Sequence, residues 1–400
     1  MLEKAACLGT VLSSFPQAHK ASEQLLEQVL GIKRIERLTE RIGSERVAQR
    51  DAQTAAFEAL PLMEKVAAPS GVKPPEWAGV MPDGGSVQLC AENEDSQTHW
   101  HEYKAACLKD MSSRTCEADP CPELPPQFLQ RERIERLTRE IGKTAADVPA
   151  GAGRGDERPP EQGDAPVAND VSYEPPHVNS SDVIATRRDC RDFGKMLAAR
   201  AWSLGMFASP HKAFVGDGSS WIWGIWERHF KAFGFVPILD VIHALTHVFA
   251  AATAGQPADA GWEIYRRWIT WVWQGQVTLV INELAARQAE LGPPTECEGA
   301  TSVRGIIHNA LTYLQNQSAR MNYPQYRQQG LPITSSHIES TVKLLNHRVK
   351  GTEKFWSESG AEALLQLKAD TLSDTGHWDT FWRTRPHTMT GVRHYTPSKT

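Results

Sequence analysis

The sequence predicts an α/β fold, a mixed sheet flanked by helices, with an N-terminal helical segment and an all-helical insertion. Three observations carry this prediction. His211 to Phe249 reads as strand, carboxylate, helix, strand, carboxylate, helix. Asp83 to Leu89 and Trp100 to Leu108 form two extended runs, consistent with an antiparallel hairpin. Residues 1 to about 66 and 255 to 325 carry helical periodicity and no strand pattern. A strand–helix–strand unit of this size favours a right-handed crossover with parallel strands. In open α/β sheets the carboxyl ends of such strands face the ligand crevice.

Bulk properties narrow the classes. A length of 400 residues leaves room for two or three domains with a substantial core. Apolar content of 40% with 13 Trp indicates a folded chain. The seven Cys are odd in number and irregularly spaced, which suits reduced thiols better than a disulfide framework. Cys116 and Cys121 lack a second pair nearby to complete a zinc site and read as a loop pair. A net charge of −5 argues against a uniformly basic nucleic-acid binder and leaves a local basic face open. The N-terminus lacks the pattern of a signal peptide, and no run approaches 18 uncharged apolar residues, so no membrane partner is expected.

Residues 1–70 form the N-terminal helical region, with Leu25, Leu26, Val29, Leu30, Ile35, Leu38 and Ile42 among charged positions. Within it Arg34-Ile35-Glu36-Arg37-Leu38-Thr39 recurs as Arg133 to Thr138, read as two similar amphipathic helices rather than a duplicated domain. Residues 71–143 are the first part of the sheet. There Pro69 to Pro82 serves as a boundary, and the spacing of Asp83-Gly84-Gly85 reads as a hairpin turn. Residues 144–182 carry eight acidic residues against two basic ones, with clustered Pro and Gly, and read as a linker. Ser181 or Asp182 then caps a helix through Phe193, Met196 and Leu197.

Residues 183–254 hold the second part of the sheet. A strand from Ala213 to Gly216 ends at Asp217, Gly218 permits a tight turn, and Ser219 or Ser220 caps the next helix. Trp221, Ile222, Ile225, Trp226, Phe230 and Phe233 give that helix one broad apolar face, and Gly234 stops it. Val236 to Leu239 is a further strand, ending at Asp240 with His243 one helical turn on. Each Asp can simply cap the helix after it, yet two at equivalent strand ends tilt the reading toward a site. Residues 255–325 are the helical insertion, with a Trp-rich helix from about Gly261 to Leu291 and another from about Val303 to Met321.

Residues 326–385 contain a helix whose Ile338, Val342, Leu345 and Val349 make one buried stripe. Glu339 lies in its first turn, with Lys343, Asn346 and Lys350 on a neighbouring face. A first-turn acid also complements the helix dipole without any other role. Between Arg304 and Lys354 there are seven Lys/Arg against two acids, a candidate basic surface within an acidic chain. Residues 386–400 are a tail.

Several of these pieces occur together in one order that resembles insertion-sequence transposases of the DDE superfamily, specifically the ISKra-type group related to Mutator-like elements. They are Asp83-Gly84-Gly85, Trp100 to Leu108, Cys121-Pro122-Glu123-Leu124-Pro125 and Tyr173-Glu174-Pro175-Pro176. Val215-Gly216-Asp217-Gly218 with Trp221-Ile222-Trp223 follows, then Ile238-Leu239-Asp240 with His243. Tyr323-Pro324, Gly330 to Ile333, Glu339-Ser340, Lys343, Arg348, Lys350-Gly351 and Trp356 complete the set. No piece is specific alone; the ordered set is the signal.

The resemblance implies an RNase H-like core in which Asp83, Asp217 and Glu339 are catalytic and bind Mg²⁺ or Mn²⁺, with the helical insertion between the last two. Asp240 and His243 match a supporting Asp-x-x-His motif, and Asp240 stands as the alternative second carboxylate. His243 either orients a carboxylate or phosphate or is a core histidine beside Asp240. Lys343, Arg348 and Lys350 would contact DNA, and an oligomer on DNA in the cytoplasm, associated with the nucleoid, is implied. The expected function is metal-dependent cleavage and strand transfer of an insertion sequence. The family's small turn before the Glu is here Thr334-Ser335-Ser336-His337, and Thr352-Glu353-Lys354 stands where a Gly is usual. These departures and the short N-terminal region support an alternative, a truncated or silent remnant that keeps DNA binding or self-association. A third reading is an RNase H-like nuclease acting on other nucleic acid.

Overall fold

A computed structural model describes residues 2–26, 29–90, 99–146, 174–295, 298–351 and 353–385. In chain order the elements begin with α1 (Leu2–Val11), α2 (Phe15–Leu25), α3 (Ile32–Ala59) and α4 (Leu62–Val66). Next come β1 (Trp77–Leu89), β2 (Trp100–Ser112), α5 (Arg131–Ala146), β3 (His177–Thr186) and α6 (Cys190–Ser203). The chain continues through β4 (His211–Gly216), α7 (Ser220–His229), β5 (Val236–Leu239) and α8 (Val241–Thr253). Then α9 (Ala258–Trp273), α10 (Val277–Leu291), α11 (Val303–Gln317) and α12 (Tyr323–Gln328) follow as helices only. The last elements are α13 (Ser336–Val349), β6 (Phe355–Trp356), α14 (Glu358–Leu372) and α15 (His377–Thr384). Most of the expected linker, residues 147–173, and the tail from 386 lie outside the described residues.

Two compact, non-contiguous units result. One comprises residues 1–113, 176–238 and 334–400; the other comprises 114–175 and 239–333. This differs from the linear partition expected from sequence, because 114–175 groups with the helices after β5 rather than with the sheet.

The first unit is built on a six-stranded mixed sheet of order β3-β2-β1-β4-β5, with β6 also paired to β1. β1 pairs antiparallel with β2 and parallel with β4, and β2 pairs antiparallel with β3. Asp83-Gly84-Gly85 is therefore no turn: it lies within β1, and the expected boundary at Pro69–Pro82 gives way to strand from Trp77. The glycines serve close approach instead. A Cβ on Gly85 would meet the Tyr103 ring at 2.2 Å, and one on Gly84 would meet the Glu102 carboxylate at 3.0 Å. Ser181 and Asp182 likewise sit inside β3 rather than capping a helix; the N-cap of α6 is Asp189, whose carboxylate accepts from Asp192 N at 2.8 Å.

Helix α14 is buried along most of its length between α3 and β3, and its polar residues are paired accordingly. Arg46 of α3 donates to Asp370 at 2.7 and 3.0 Å, and Glu362 accepts from Arg50 at 2.9 Å and from Thr186 Oγ1 at 2.7 Å. Such pairing is what allows charges into a helix face that would otherwise be desolvated at large cost.

In the second unit the segment ahead of α5 is tied to the helices by buried polar contacts. Arg327 of α12, fully buried, forks onto Asp119 and stacks 4.1 Å over Trp273. Trp273 Nε1 donates to Cys121 O at 2.8 Å, and Tyr265 Oη to Phe128 O at 3.0 Å. The single Trp-rich helix expected from 261 to 291 is two helices, broken at Gln274–Gln276, where Gly275 adopts φ 73°. The next helix ends at Gln317 in a short 3₁₀ turn rather than continuing to Met321. Among the described residues, no helix is long and apolar enough to cross a membrane.

Candidate functional site

The position of Asp83 follows from strand register. It pairs with Ala105, between Met81 opposite Cys107 and Gly85 opposite Tyr103. Residues two apart on a strand share a face, and directly opposed residues of antiparallel neighbours share it too. Cys107 Sγ lies 3.1 Å from Thr341 Oγ1, and Tyr103 Oη donates to Asn346 Oδ1 at 2.9 Å, both on α13. Asp83 therefore stands on the sheet face that α13 covers. It is half-buried, and its Oδ1 accepts from Gly84 N at 2.7 Å. Lys104, one residue out of this alternation, places its ammonium over the Trp221 ring of α7.

Asp217 comes immediately after β4. The parallel pairing runs from Trp77 opposite His211 to Val80 opposite Phe214. That pairing ends three residues before Asp217, which follows the last residue of β4. Gly218, at φ 104°, makes the turn that the sequence anticipated. Ser219 is the N-cap residue of α7, but its side chain does not cap the helix; its N and Oγ instead bond the two Asp217 oxygens at 2.7 and 3.0 Å. Asp217 is thus fixed in orientation by its own turn.

Glu339 is half-buried in the first turn of α13. Three and seven residues on along the same helix face are Val342, whose carbonyl is 3.5 Å from Tyr103 Oη, and Asn346. Thr341 meets the Met81 level of β1 and Asn346 the Gly85 level, so α13 ascends alongside β1, and Glu339, two residues before Thr341, lies at or before the Met81 level rather than level with Asp83. Burial, and then the charge of Asp83, push the Tyr103 hydroxyl well above its ordinary pKa, so it remains a neutral donor. Sequence reading did not single out Tyr103, and it grouped Asn346 with Lys343 and Lys350 rather than against the sheet. The only signal available was that Tyr103 is two residues from the partner of Asp83, and that register is visible only after folding.

In the second unit Asp240 is fully buried and caps α8, accepting from Ile242 N at 2.6 Å. Its other oxygen lies 3.6 Å from His243 Nδ1, so a carboxylate and an imidazole capable of holding a divalent cation stand side by side. The plain capping reading thus describes Asp240 and not Asp217.

Of the three expected DNA contacts, Lys343 and Lys350 are exposed, and the Lys350 ammonium sits 5.4 Å over the Trp100 ring. Arg348 is corrected. It is 1% exposed, donates to Gly9 O at 2.8 and 3.0 Å, and lies over the Phe15 and Trp356 rings. Burial lowers its pKa to about 10, and it acts as an interior clamp between α13 and α1 with no face toward DNA. The stripe periodicity could not reveal this, since the helix partner is more than 300 residues away in sequence.

No family model matches the chain, and no curated protein matches it.

Proposed function

We propose that the first unit is an RNase H-like catalytic core and that the protein is a DDE-type transposase, cleaving and rejoining DNA with Mg²⁺ or Mn²⁺. What supports this reading is that Asp83 lies in β1 on the sheet face that α13 covers, that Asp217 directly follows β4, the parallel neighbour of β1, and that Glu339 is in the first turn of α13. The donor set fits the metal: three carboxylates from distant segments offer hard oxygen ligands, which Mg²⁺ prefers and completes with water. Bound there, a metal pair would activate an attacking hydroxyl or water and stabilise the leaving oxygen of an in-line displacement.

The chain's own groups have separate tasks. Ser219 holds the Asp217 carboxylate in one orientation by bonding both of its oxygens. Gly85 leaves room for the Tyr103 ring against β1, and Tyr103 in turn fixes α13 through Asn346. Exposed Lys343 on α13 and Lys350 just after it supply cations for DNA phosphates.

The test is cleavage by the full chain of DNA flanking its own coding sequence. Cleavage that needs Mg²⁺ or Mn²⁺, stops with a chelator, and is lost in Asp217→Asn and in Glu339→Gln while DNA binding persists is the expected result. Wild-type rates in Asp217→Asn overturn the assignment. Binding without cleavage by the unaltered protein points to a silent remnant.

A further inference from the structure

The repeated segment, Arg34-Ile35-Glu36-Arg37-Leu38-Thr39 and Arg133-Ile134-Glu135-Arg136-Leu137-Thr138, has no part in the reading above. Its copies lie on α3 of the first unit and α5 of the second. Inward, the two copies meet different surroundings. Ile35 is buried with Ala5, Ala18 and Leu30 of the N-terminal helices, whereas Ile134 is buried in a unit where α5 packs on α8. Thr39 Oγ1 bonds Ile35 O at 2.9 Å, while Thr138 Oγ1 makes no hydrogen bond among the described residues. Neither interior requires the other's outward residues.

Outward, the copies are alike. Arg34, Arg37, Arg133 and Arg136 are all exposed, and among the described residues none forms an ion pair. Neighbouring cations behave otherwise: Lys33 pairs with Glu36 at 2.8 Å, and Arg131 with Glu135 at 3.0 Å and Asp259 at 3.2 Å. Positions three apart on a helix point the same way. Each helix therefore presents two adjacent guanidinium groups with no carboxylate committed to them. Guanidinium forks match phosphate oxygens in charge and geometry.

We propose that the two copies are equivalent phosphate clamps, Arg34 with Arg37 and Arg133 with Arg136, each gripping the backbone of double-stranded DNA. The proposal rests on the DNA-acting reading above and extends it to two helices that carry none of the three carboxylates. Such contacts position DNA without reading its sequence.

The experiment measures binding of the full chain to a short double-stranded DNA of arbitrary sequence over a range of salt concentrations. Arg34→Ala/Arg37→Ala and Arg133→Ala/Arg136→Ala are compared with Arg191→Ala/Arg228→Ala, an equal charge loss at exposed positions elsewhere. Each repeat variant is expected to flatten the slope of log affinity against log salt by about 2, equally on any DNA sequence, while the control does not. Lysine at the same positions restores the slope, separating charge from helix damage. If wild type binds and either repeat variant binds like the control, the clamps are overturned and the DNA-acting reading stands. If wild type itself does not bind DNA, both fall.

Discussion

Gly85 illustrates how a single position carries non-local information. Its lack of a Cβ matters only because the Tyr103 ring, on the next strand, occupies that space. Gly85 is not among the positive-φ glycines, so backbone strain is not the issue. At a position free of such contacts, Gly→Ala stabilises by roughly 0.4–1 kcal/mol. Gly85→Ala is expected to do the reverse, costing about 1–3 kcal/mol through overpacking, and more if Tyr103 must leave Asn346. Chemical denaturation gives the sign directly; a stabilised variant contradicts the packing account. Local spacing read Asp83-Gly84-Gly85 as a turn because turn chemistry and close-approach chemistry use the same residues. Asp83 could be singled out from sequence, but its face and neighbours could not, since they depend on register with residues around Tyr103. Arg348 shows the same limit from the other side. A cation in a basic run looked like a DNA contact until Gly9, Phe15 and Trp356 closed around it.

At the scale of elements, β3 was the strand least legible in sequence. It lies at the end of an acidic, Pro/Gly-rich stretch, and only pairing with β2 reveals it. Its Asp182 is 1% exposed and joins three elements. Arg200 of α6 donates to one oxygen at 2.8 Å, and His377 of α15 lies 2.6 Å from the other, which also accepts from Thr375. Burial alone would raise this carboxyl, but the Arg200 charge and the His377 and Thr375 hydrogen bonds outweigh it and hold the pKa at about 2. A depressed carboxyl stabilises the fold fully above its unfolded value near 4 and loses that contribution as pH falls toward 2. The contribution is roughly 2 kcal/mol. In acid titrations followed by circular dichroism, Asp182→Asn is expected to be less stable than wild type at neutral pH, with the gap closing between about pH 4 and 2. A gap independent of pH contradicts the clamp. Helix periodicity, by contrast, was plain in α3, α7 and α13, whose buried stripes are local patterns. The break at Gly275 was hidden because apolar residues continue on both sides of it.

At the scale of the whole molecule, the chain leaves its sheet-bearing unit at Ser113, returns at Pro176, leaves again after Ile238 and returns at Thr334. Alternation of strand and helix signals made the sheet legible, and the absence of strand signals after β5 made the helical stretch legible. That residues 114–146 belong with those helices was not, because contacts such as Arg327 with Asp119 span about two hundred residues. The proposal to test concerns the first unit alone: that carboxylates from β1, the end of β4 and α13 together hold a divalent cation. Titration of the full chain with Mn²⁺, followed by electron paramagnetic resonance, tests it most directly. Binding that weakens by about tenfold or more in each of Asp83→Asn, Asp217→Asn and Glu339→Gln is the predicted result. Mn²⁺ binding unchanged in all three variants contradicts the account.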